Sequence, residues 1–158
     1  MMRRLLLSLL LLLCINAHAQ RSGFGAGIMV GDPTGLAFKA WMGGDRAIAG
    51  GLAWSFVDEG YFHAHADLLF HKMDLITVGR GQLPLYFGPG LRLRTWGDGN
   101  DRNDNDGRTD IGVRFPVGLA YLFDGAPVDV FLEVVPTLDL IPRTDFDLDA
   151  AIGARYWF

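Results

Sequence analysis

The sequence predicts an all-β fold: a closed eight-stranded antiparallel up-and-down transmembrane β-barrel, preceded by a cleaved signal peptide. Turn signals recur about every 10–15 residues, as in all-β proteins. Apolar and polar residues alternate between the turns, which is typical of strands with one apolar face. No segment keeps a helical period beyond two turns. The alternation is clearest at the end of the chain, where one face carries Phe146, Leu148, Ala150, Ile152, Ala154, Tyr156 and Phe158.

The first residues have the pattern of a secretory signal peptide. Arg3 and Arg4 precede an apolar run over residues 5–15, and Ala17 and Ala19 supply the small residues of a cleavage site. The apolar run is shorter than the roughly 20 residues that a membrane-spanning helix needs. We therefore expect cleavage after Ala19.

This cleavage would divide the chain into a signal peptide, residues 1–19, and a barrel domain, residues 20–158. Cys14 is the single cysteine and would leave with the signal peptide, so the barrel must close without a disulfide. A lipoprotein anchor at Cys14 is disfavoured, because Leu12 and Leu13 are bulkier than the residues that cleavage prefers.

The charge balance of the barrel domain is acidic. Removal of the signal peptide reduces the 14 Lys and Arg residues to 12 while all 18 acids remain, which gives a net charge near −6. This balance argues against a nucleic-acid partner. The length suits a single domain.

Eight strands separated by turns are expected. In the turn at residues 32–35, proline presets the bend and glycine accepts an unusual backbone angle. An even number of strands returns the chain to the side where it started, and eight is the smallest number in the bacterial series. Residues 71–82 either extend the fourth strand or form a long turn. The expected strands are 23–31, 36–42, 47–56, 61–70, 83–96, 110–123, 128–140 and 145–158.

The less apolar face of these strands combines glycine with charges of both signs. Because buried charges must be paired, the mixture predicts that this face points into the barrel and forms a lumen charge network. Eight strands leave an interior that side chains just fill, so we expect no open pore. The predicted network comprises Lys39, His63, His65, Asp67, Arg92, Arg94, Arg114, Glu133, Asp139, Asp149 and Arg155.

Aromatic residues gather near the strand ends, as in the girdles of membrane barrels. They favour a membrane barrel over the alternative of a soluble lipocalin-like ligand-binding barrel, in which the apolar face would line a cavity. One rim is predicted to hold Trp41, Phe70, Tyr86, Phe87, Tyr121, Phe123, Tyr156, Trp157 and Phe158, and the other Trp54, Phe56, Tyr61, Phe62, Trp96 and Phe146.

With these features, the barrel domain resembles the small eight-stranded outer-membrane barrels of the OmpA-domain and OmpX kind. Residues 83–88, 115–123 and 136–142 also look like segments of an uncharacterised family of bacterial outer-membrane barrels. The resemblance implies a Gram-negative outer-membrane location and contact with outer-membrane lipids and lipopolysaccharide. That family has no shared activity to carry over, so we expect a structural or surface-interaction role, without catalysis or a cofactor, and a monomer.

The last residues carry a second resemblance. Phe158 is a terminal aromatic residue with Tyr156 two positions before it. This pattern resembles the signal that the barrel-assembly machinery reads in outer-membrane proteins. It implies delivery by periplasmic chaperones and insertion by that machinery.

An enzymatic alternative is a lipid-A-acting hydrolase. If Phe56 paired with Phe62, Ser55 would lie opposite His63 on the inner face, and an acid from another strand would complete a Ser–His–acid set. Lipid A deacylases are eight-stranded barrels with a lipid-facing His-x-Ser arrangement, and this sequence has none. We therefore expect no catalytic residue.

Two segments contain candidate metal ligands. His63, His65 and Asp67 share one strand face, but residues two apart on a strand stand roughly 6.5–7 Å apart, so a metal would need ligands from a neighbouring strand. The polar segment 97–109 is rich in Asp and Gly, but the pattern of a calcium loop would place Arg102 at its first ligand position. We expect a solvated loop there and no metal site, with weak cation contact to lipopolysaccharide as the alternative.

Overall fold

The computed structural model describes residues 22–55, 61–96 and 109–158. Within them the chain forms ten β-strands in one antiparallel sheet, and no helix there is long and apolar enough to cross a membrane. The predicted signal peptide lies outside the described residues. The strands are β1 (Phe24–Gly31), β2 (Gly35–Gly43), β3 (Arg46–Ser55), β4 (Tyr61–Lys72), β5 (Leu85–Phe87), β6 (Gly90–Trp96), β7 (Thr109–Arg114), β8 (Val117–Leu122), β9 (Val128–Ile141) and β10 (Asp145–Trp157).

The ten strands occupy eight positions around the barrel, because two positions are each filled by two short strands. β5 and β6 lie end to end beside β4 in one register, which places Phe70 opposite Phe87 and Asp67 opposite Gly90. β8 and β7 lie end to end beside β9 in the same way. The interruptions contain Pro89 and Pro116, which have no N–H to donate to a ladder.

The sheet closes because β10 pairs with β1 on one side and with β9 on the other. The pairing with β1 extends from Gly25 opposite Trp157 to Gly31 opposite Ala151. The described strands therefore have no open sheet edge. This arrangement confirms the predicted all-β fold, a closed eight-stranded antiparallel barrel.

We call the end where β1 begins and β10 ends the proximal end, and the opposite end the distal end. β4 continues two residues beyond its predicted end, to Lys72, and residues 73–84 then connect it to β5 at the proximal end. The uncertain segment 71–82 is thus mainly a connection. Residues 97–108, which make up most of the predicted polar loop, lie outside the described residues.

The hairpin of β3 and β4 corrects the register that would bring Ser55 to His63. Trp54 pairs with Phe62, and the residue opposite His63 is Ala53. Alternation cannot separate the two registers, because a shift by two residues keeps every side chain on its own face. The alternative register, and with it the juxtaposition of Ser55 with His63, is therefore wrong.

Candidate functional site in the barrel interior

Large apolar side chains cover the outer surface of the barrel. They occupy alternate positions on the strands, as the sequence pattern predicts for one face. Ile28 and Leu91 are both about 60% exposed, although each belongs to a regular strand. Other exposed apolar side chains are Val30, Leu36, Ile48, Leu52, Trp54, Phe62, Leu93, Ile111, Val113, Phe115, Val117, Leu132, Val134, Leu138, Leu140, Phe146, Leu148 and Ile152.

The opposite face of the strands points into the barrel and carries the charged residues. His65 and Arg94 are also enclosed, since their side chains are 4% and 12% exposed. Apolar side chains such as Met29, Leu69 and Phe131 pack among the charges. The buried members of the predicted lumen charge network are Lys39, His63, Asp67, Arg92, Arg114, Glu133, Asp139, Asp149 and Arg155.

Arg92 is the centre of the distal part of the interior. Its Nη2 donates to Asp139 Oδ2 at 2.6 Å and its Nε to Asp139 Oδ1 at 3.2 Å. Its Nη1 donates to Asp149 Oδ2 at 2.8 Å and to Asp147 Oδ2 at 3.1 Å. Such two-pronged contacts use the fixed fork of the guanidinium group. Arg94 Nη1 also lies 3.5 Å from Asp147 Oδ2.

A second group of charges surrounds Arg114, near the middle of the barrel. Arg114 Nε lies 3.0 Å from Asp67 Oδ1, and its Nη2 donates to Glu133 Oε1 at 3.3 Å. Glu133 also accepts a hydrogen bond from the Tyr86 hydroxyl at 2.9 Å. Gly118 makes room for this tyrosine, because a Cβ atom there would lie 2.4 Å from Tyr86 Cζ. The middle group therefore combines ion pairs with a buried phenol.

The two histidines of β4 lie beside this group. His65 Nδ1 and His63 Nε2 are 3.2 Å apart, which allows one hydrogen bond between the rings. His65 Nε2 is 3.9 Å from Asp67 Oδ2. Within the part of the chain that the structure describes, no three His, Cys, Asp or Glu side chains are arranged so that they could hold a metal ion.

Arg155 forms a separate pair towards the proximal end. It lies directly opposite Asp129 in the ladder of β9 and β10. Its Nε and Nη2 donate to the two oxygens of Asp129 at 3.0 and 3.2 Å. The guanidinium carbon also lies 4.1 Å from the centre of the Phe131 ring, which adds a cation–π contact.

Lys39 occupies the proximal end of the interior among aromatic rings. Its Nζ lies 2.7 Å from His71 Nε2, and His71 Nδ1 lies 3.1 Å from the backbone oxygen of Asp45. Those contacts assign the ring proton to Nδ1, so that Nε2 accepts from Lys39. The Nζ atom also lies 4.7, 5.5 and 5.9 Å from the ring centres of Trp41, Tyr86 and Trp157 respectively.

These three rings correct the predicted aromatic rim. Tyr86 and Trp157 are each 1% exposed, and the Trp41 ring lies 4.5 Å from the His71 ring. All three lie at positions of the inward face, where they cover the proximal end of the interior. The sequence signal was available, because Trp157 lies two residues from Arg155 and Trp41 two residues from Lys39 on the same strand face. Phe56, also assigned to a rim, lies outside the described residues.

The structure thus distributes the predicted network over several groups. It brings together Arg92 with Asp139 and Asp149, and Arg114 with Asp67 and Glu133. It separates other members, since Lys39 contacts His71 and Arg155 contacts Asp129. Neither His71 nor Asp129 is in the predicted network, although both lie on the inward face of their strands.

The two residues of the predicted assembly signal lie at the proximal end. The ring of Phe158 contacts that of Tyr156 edge to face, with 5.1 Å between centres. Phe158 is 64% exposed. Its backbone N–H donates to the oxygen of Phe24 at 2.9 Å. The final aromatic residue is therefore tied to β1 by its backbone while its side chain faces outward.

Comparison with solved structures relates this barrel to a known fold. The chain matches the N-terminal β-barrel domain of Pseudomonas aeruginosa OprF with a TM-score of 0.61 and 15% sequence identity. The match covers 85% of this chain and 95% of that domain. No protein-family model and no curated protein matches the chain. The chain therefore has the OmpA-like eight-stranded barrel fold.

Proposed function

We propose that the chain is an integral β-barrel protein of the bacterial outer membrane, with a structural or surface-interaction role. The observation that carries this proposal is the division of the strand faces, with apolar side chains outside and charges inside. A soluble lipocalin-like barrel would need the reverse arrangement. The proposal assigns the protein no catalytic role.

Energetics support a lipid environment for the outer surface. Apolar surface in water costs about 25 cal/mol for each Å², and soluble monomers rarely expose apolar patches larger than a few hundred Å². Here exposed apolar side chains occur on β1, β2, β3, β4, β6, β7, β8, β9 and β10. A closed barrel also meets the requirement that lipid imposes on backbone groups, because each strand bonds to a neighbour on both sides.

Cell fractionation tests the proposed location. We expect the protein to sediment with outer membranes, to resist extraction by alkaline carbonate, and to change gel mobility when heated in detergent. An inner-membrane marker and a soluble periplasmic marker serve as controls in the same lysate. Recovery in the soluble fraction would contradict the proposal.

The packed interior supports a barrel without an open pore. Arg92, Arg114 and Lys39 are almost completely buried at successive levels between the distal and proximal ends, and eight strands leave little room beyond their side chains. We expect no stepwise current when the purified protein is inserted into planar bilayers. Reproducible conductance steps would contradict a filled interior.

The assembly signal is part of the same proposal. Tyr156 and Phe158 are taken to be read by the barrel-assembly machinery after delivery by periplasmic chaperones. Deletion of Phe158 should lower the amount of heat-modifiable protein in outer membranes, whereas Asp104→Asn in the polar segment should not. Equal amounts for the deletion and the parent chain would remove this assignment. Outer-membrane lipids and lipopolysaccharide would surround the inserted monomer.

A further inference from the structure

The basic residues of the strands are unevenly divided between the two faces. Of the seven Lys and Arg residues on the described strands, five point into the barrel. The other two, Arg46 and Lys72, are exposed. Each is two residues from an outward residue of its strand, Ile48 and Phe70 respectively, and therefore also points outward. They lie at the proximal ends of neighbouring strands, since Arg46 pairs with Phe70 and Lys72 follows two residues later.

A concave site lies around these two basic residues. Gly43 and Gly44 contribute no side chain to its wall, so it remains open. The rings of Phe70 and Phe87 lie 6.5 Å apart, and the guanidinium carbon of Arg46 lies 5.9 Å from the Phe70 ring. Asp45 supplies one negative charge against two positive ones. The site is lined by Met42, Gly43, Gly44, Asp45, Arg46, Phe70, His71, Lys72 and Phe87.

An apolar groove begins beside this site and follows the outer wall towards the middle of the barrel. Met42 lines both the concave site and the groove. Leu68, in the groove, is two residues from Phe70 on the same face of β4. The concave site and the groove thus adjoin, and we call the two together the track. The groove is lined mainly by Met42, Ile48, Ala66, Leu68, Leu91 and Phe115.

Pro89 lines the groove at the point where the wall is interrupted between β5 and β6. Its backbone oxygen accepts a hydrogen bond from the Leu68 N–H at 2.9 Å. Antiparallel partners normally exchange two such bonds, and a proline cannot return the second because it has no N–H.

The floor of the groove is also built from small residues. Ala66 is exposed there, and its methyl group leaves most of the space open. Gly90 also lines the groove, but it lies at a position of the inward face, where a Cβ atom would approach Asp67 Oδ1. The backbone at Gly90 therefore forms part of the floor without an outward side chain.

We propose that this track binds one membrane glycerophospholipid, with its phosphate between Arg46 and Lys72 and an acyl chain along the groove. The proposal rests on the membrane location proposed above. Lys72 and Ala66 are six residues apart on β4, which is roughly 20 Å along a strand. With the usual tilt of barrel strands, this is about 15 Å along the membrane normal, or half of the ~30 Å hydrocarbon core. The track thus spans the depth of one leaflet.

Native mass spectrometry of the protein in detergent tests the phosphate site. The probe is palmitoyl-oleoyl phosphatidylglycerol, and the variant is R46Q/K72Q. The matched control is R80Q/R143Q, which removes the same charge from exposed residues outside the track. We expect the Kd of the double variant to rise about 25-fold, since each of the two basic residues near anionic lipid is worth about a factor of five. The control should bind as the parent does, and equal binding by R46Q/K72Q would overturn the proposal.

A second pair of variants tests the groove. A66F fills the groove from its outer side, whereas A64F adds the same ring to the same face of β4 outside the groove lining. We expect A66F, but not A64F, to reduce lipid retention. Diacylglycerol with the same chains should bind more weakly than the phospholipid and should not respond to R46Q/K72Q. Equal retention by A66F and A64F would show that no chain lies in the groove.

Failure of this site and failure of the proposed location give different results. Fractionation of the parent protein tests the location alone. Lipid retention by purified, heat-modifiable variants tests the site alone. A parent that sediments with outer membranes while R46Q/K72Q retains lipid normally would overturn only the lipid site.

Discussion

The two ends of the barrel interior hold their positive charges in different ways. At the distal end Arg92 hydrogen-bonds to Asp139, Asp147 and Asp149. At the proximal end Lys39 contacts the neutral ring of His71 and three aromatic faces. Loss of Arg92 would leave several carboxylates without their main partner, whereas the carboxylate towards the proximal end, Asp129, is paired with Arg155 and not with Lys39. Equal burial of two basic side chains therefore does not imply equal dependence of the fold on them.

Substitution of Arg92 should have the largest effect on the free energy of unfolding. Arg92→Met keeps an unbranched side chain but leaves Asp139 without its bidentate partner and Asp149 without its 2.8 Å hydrogen bond. Breaking a buried pair in this way costs about 3–5 kcal/mol. We expect a loss of this size in the free energy of unfolding, measured by urea titration of the protein in lipid vesicles with tryptophan fluorescence.

Arg143→Met is the control for this measurement, because Arg143 is exposed in the distal connection between β9 and β10. It should change the free energy of unfolding by less than about 0.5 kcal/mol. A similar small change for Arg92→Met would mean that the distal carboxylates do not depend on Arg92.

The tyrosine that links the proximal end to the middle group provides the next test. Tyr86 donates to Glu133 and presents its ring to Lys39, and Gly118 gives it space. Gly118→Ala would force the ring or the strand to move, and such overpacking costs about 1–3 kcal/mol. The same urea titration measures the loss. Gly79→Ala is the control, since a Cβ atom there meets no atom within 4 Å, and equal stability of the two variants would contradict the tight packing.

Substitution of Lys39 should lower the free energy of unfolding less than substitution of Arg92. Lys39→Met removes a hydrogen bond to His71 and the contacts with aromatic rings, but the thioether side chain can pack against those rings. Such contacts are worth about 1–2 kcal/mol together. Unfolding of Lys39→Met and Arg92→Met in the same vesicles compares the ends directly. A loss for Lys39→Met as large as that for Arg92→Met would remove the distinction between them.

Alternation in the sequence predicts most of this arrangement, because one period assigns every strand residue to a face. It places Arg92, Arg114 and Asp149 on the less apolar face of their strands, and all three are buried. It could not assign partners, since contacts across the barrel depend on strand register and curvature. It also does not distinguish registers that differ by two residues, which is why the sequence leaves open the alternative that Ser55 lies opposite His63.

The proximal aromatic layer was missed for another reason. An aromatic residue at the end of a strand suits both a membrane rim and the end of a packed interior, so residue type alone does not decide its direction. For Trp157 the alternation of side chains along the strand predicts the inward direction, because Arg155, two residues earlier, lies on the same face. The sequence also contains a signal for the interruptions at Pro89 and Pro116, since proline seldom lies inside a strand that is paired on both sides.

A substitution at the distal rim should have the smallest effect on the free energy of unfolding. It thereby marks where the charge network ends. Asp32 lies 3.7 Å from Arg94 Nη2, but its side chain is 58% exposed. Exposed ion pairs of this kind contribute about 0–1 kcal/mol, so Asp32→Asn should lower the free energy of unfolding by less than about 0.5 kcal/mol. Asp149→Asn makes the same chemical change at a side chain that is 1% exposed and bonded to Arg92 at 2.8 Å, and it should cost about 1–3 kcal/mol. Paired urea titrations at low and high salt measure both variants. Similar losses for the two would mean that the Arg92 network extends to Asp32, and that burial does not set its boundary.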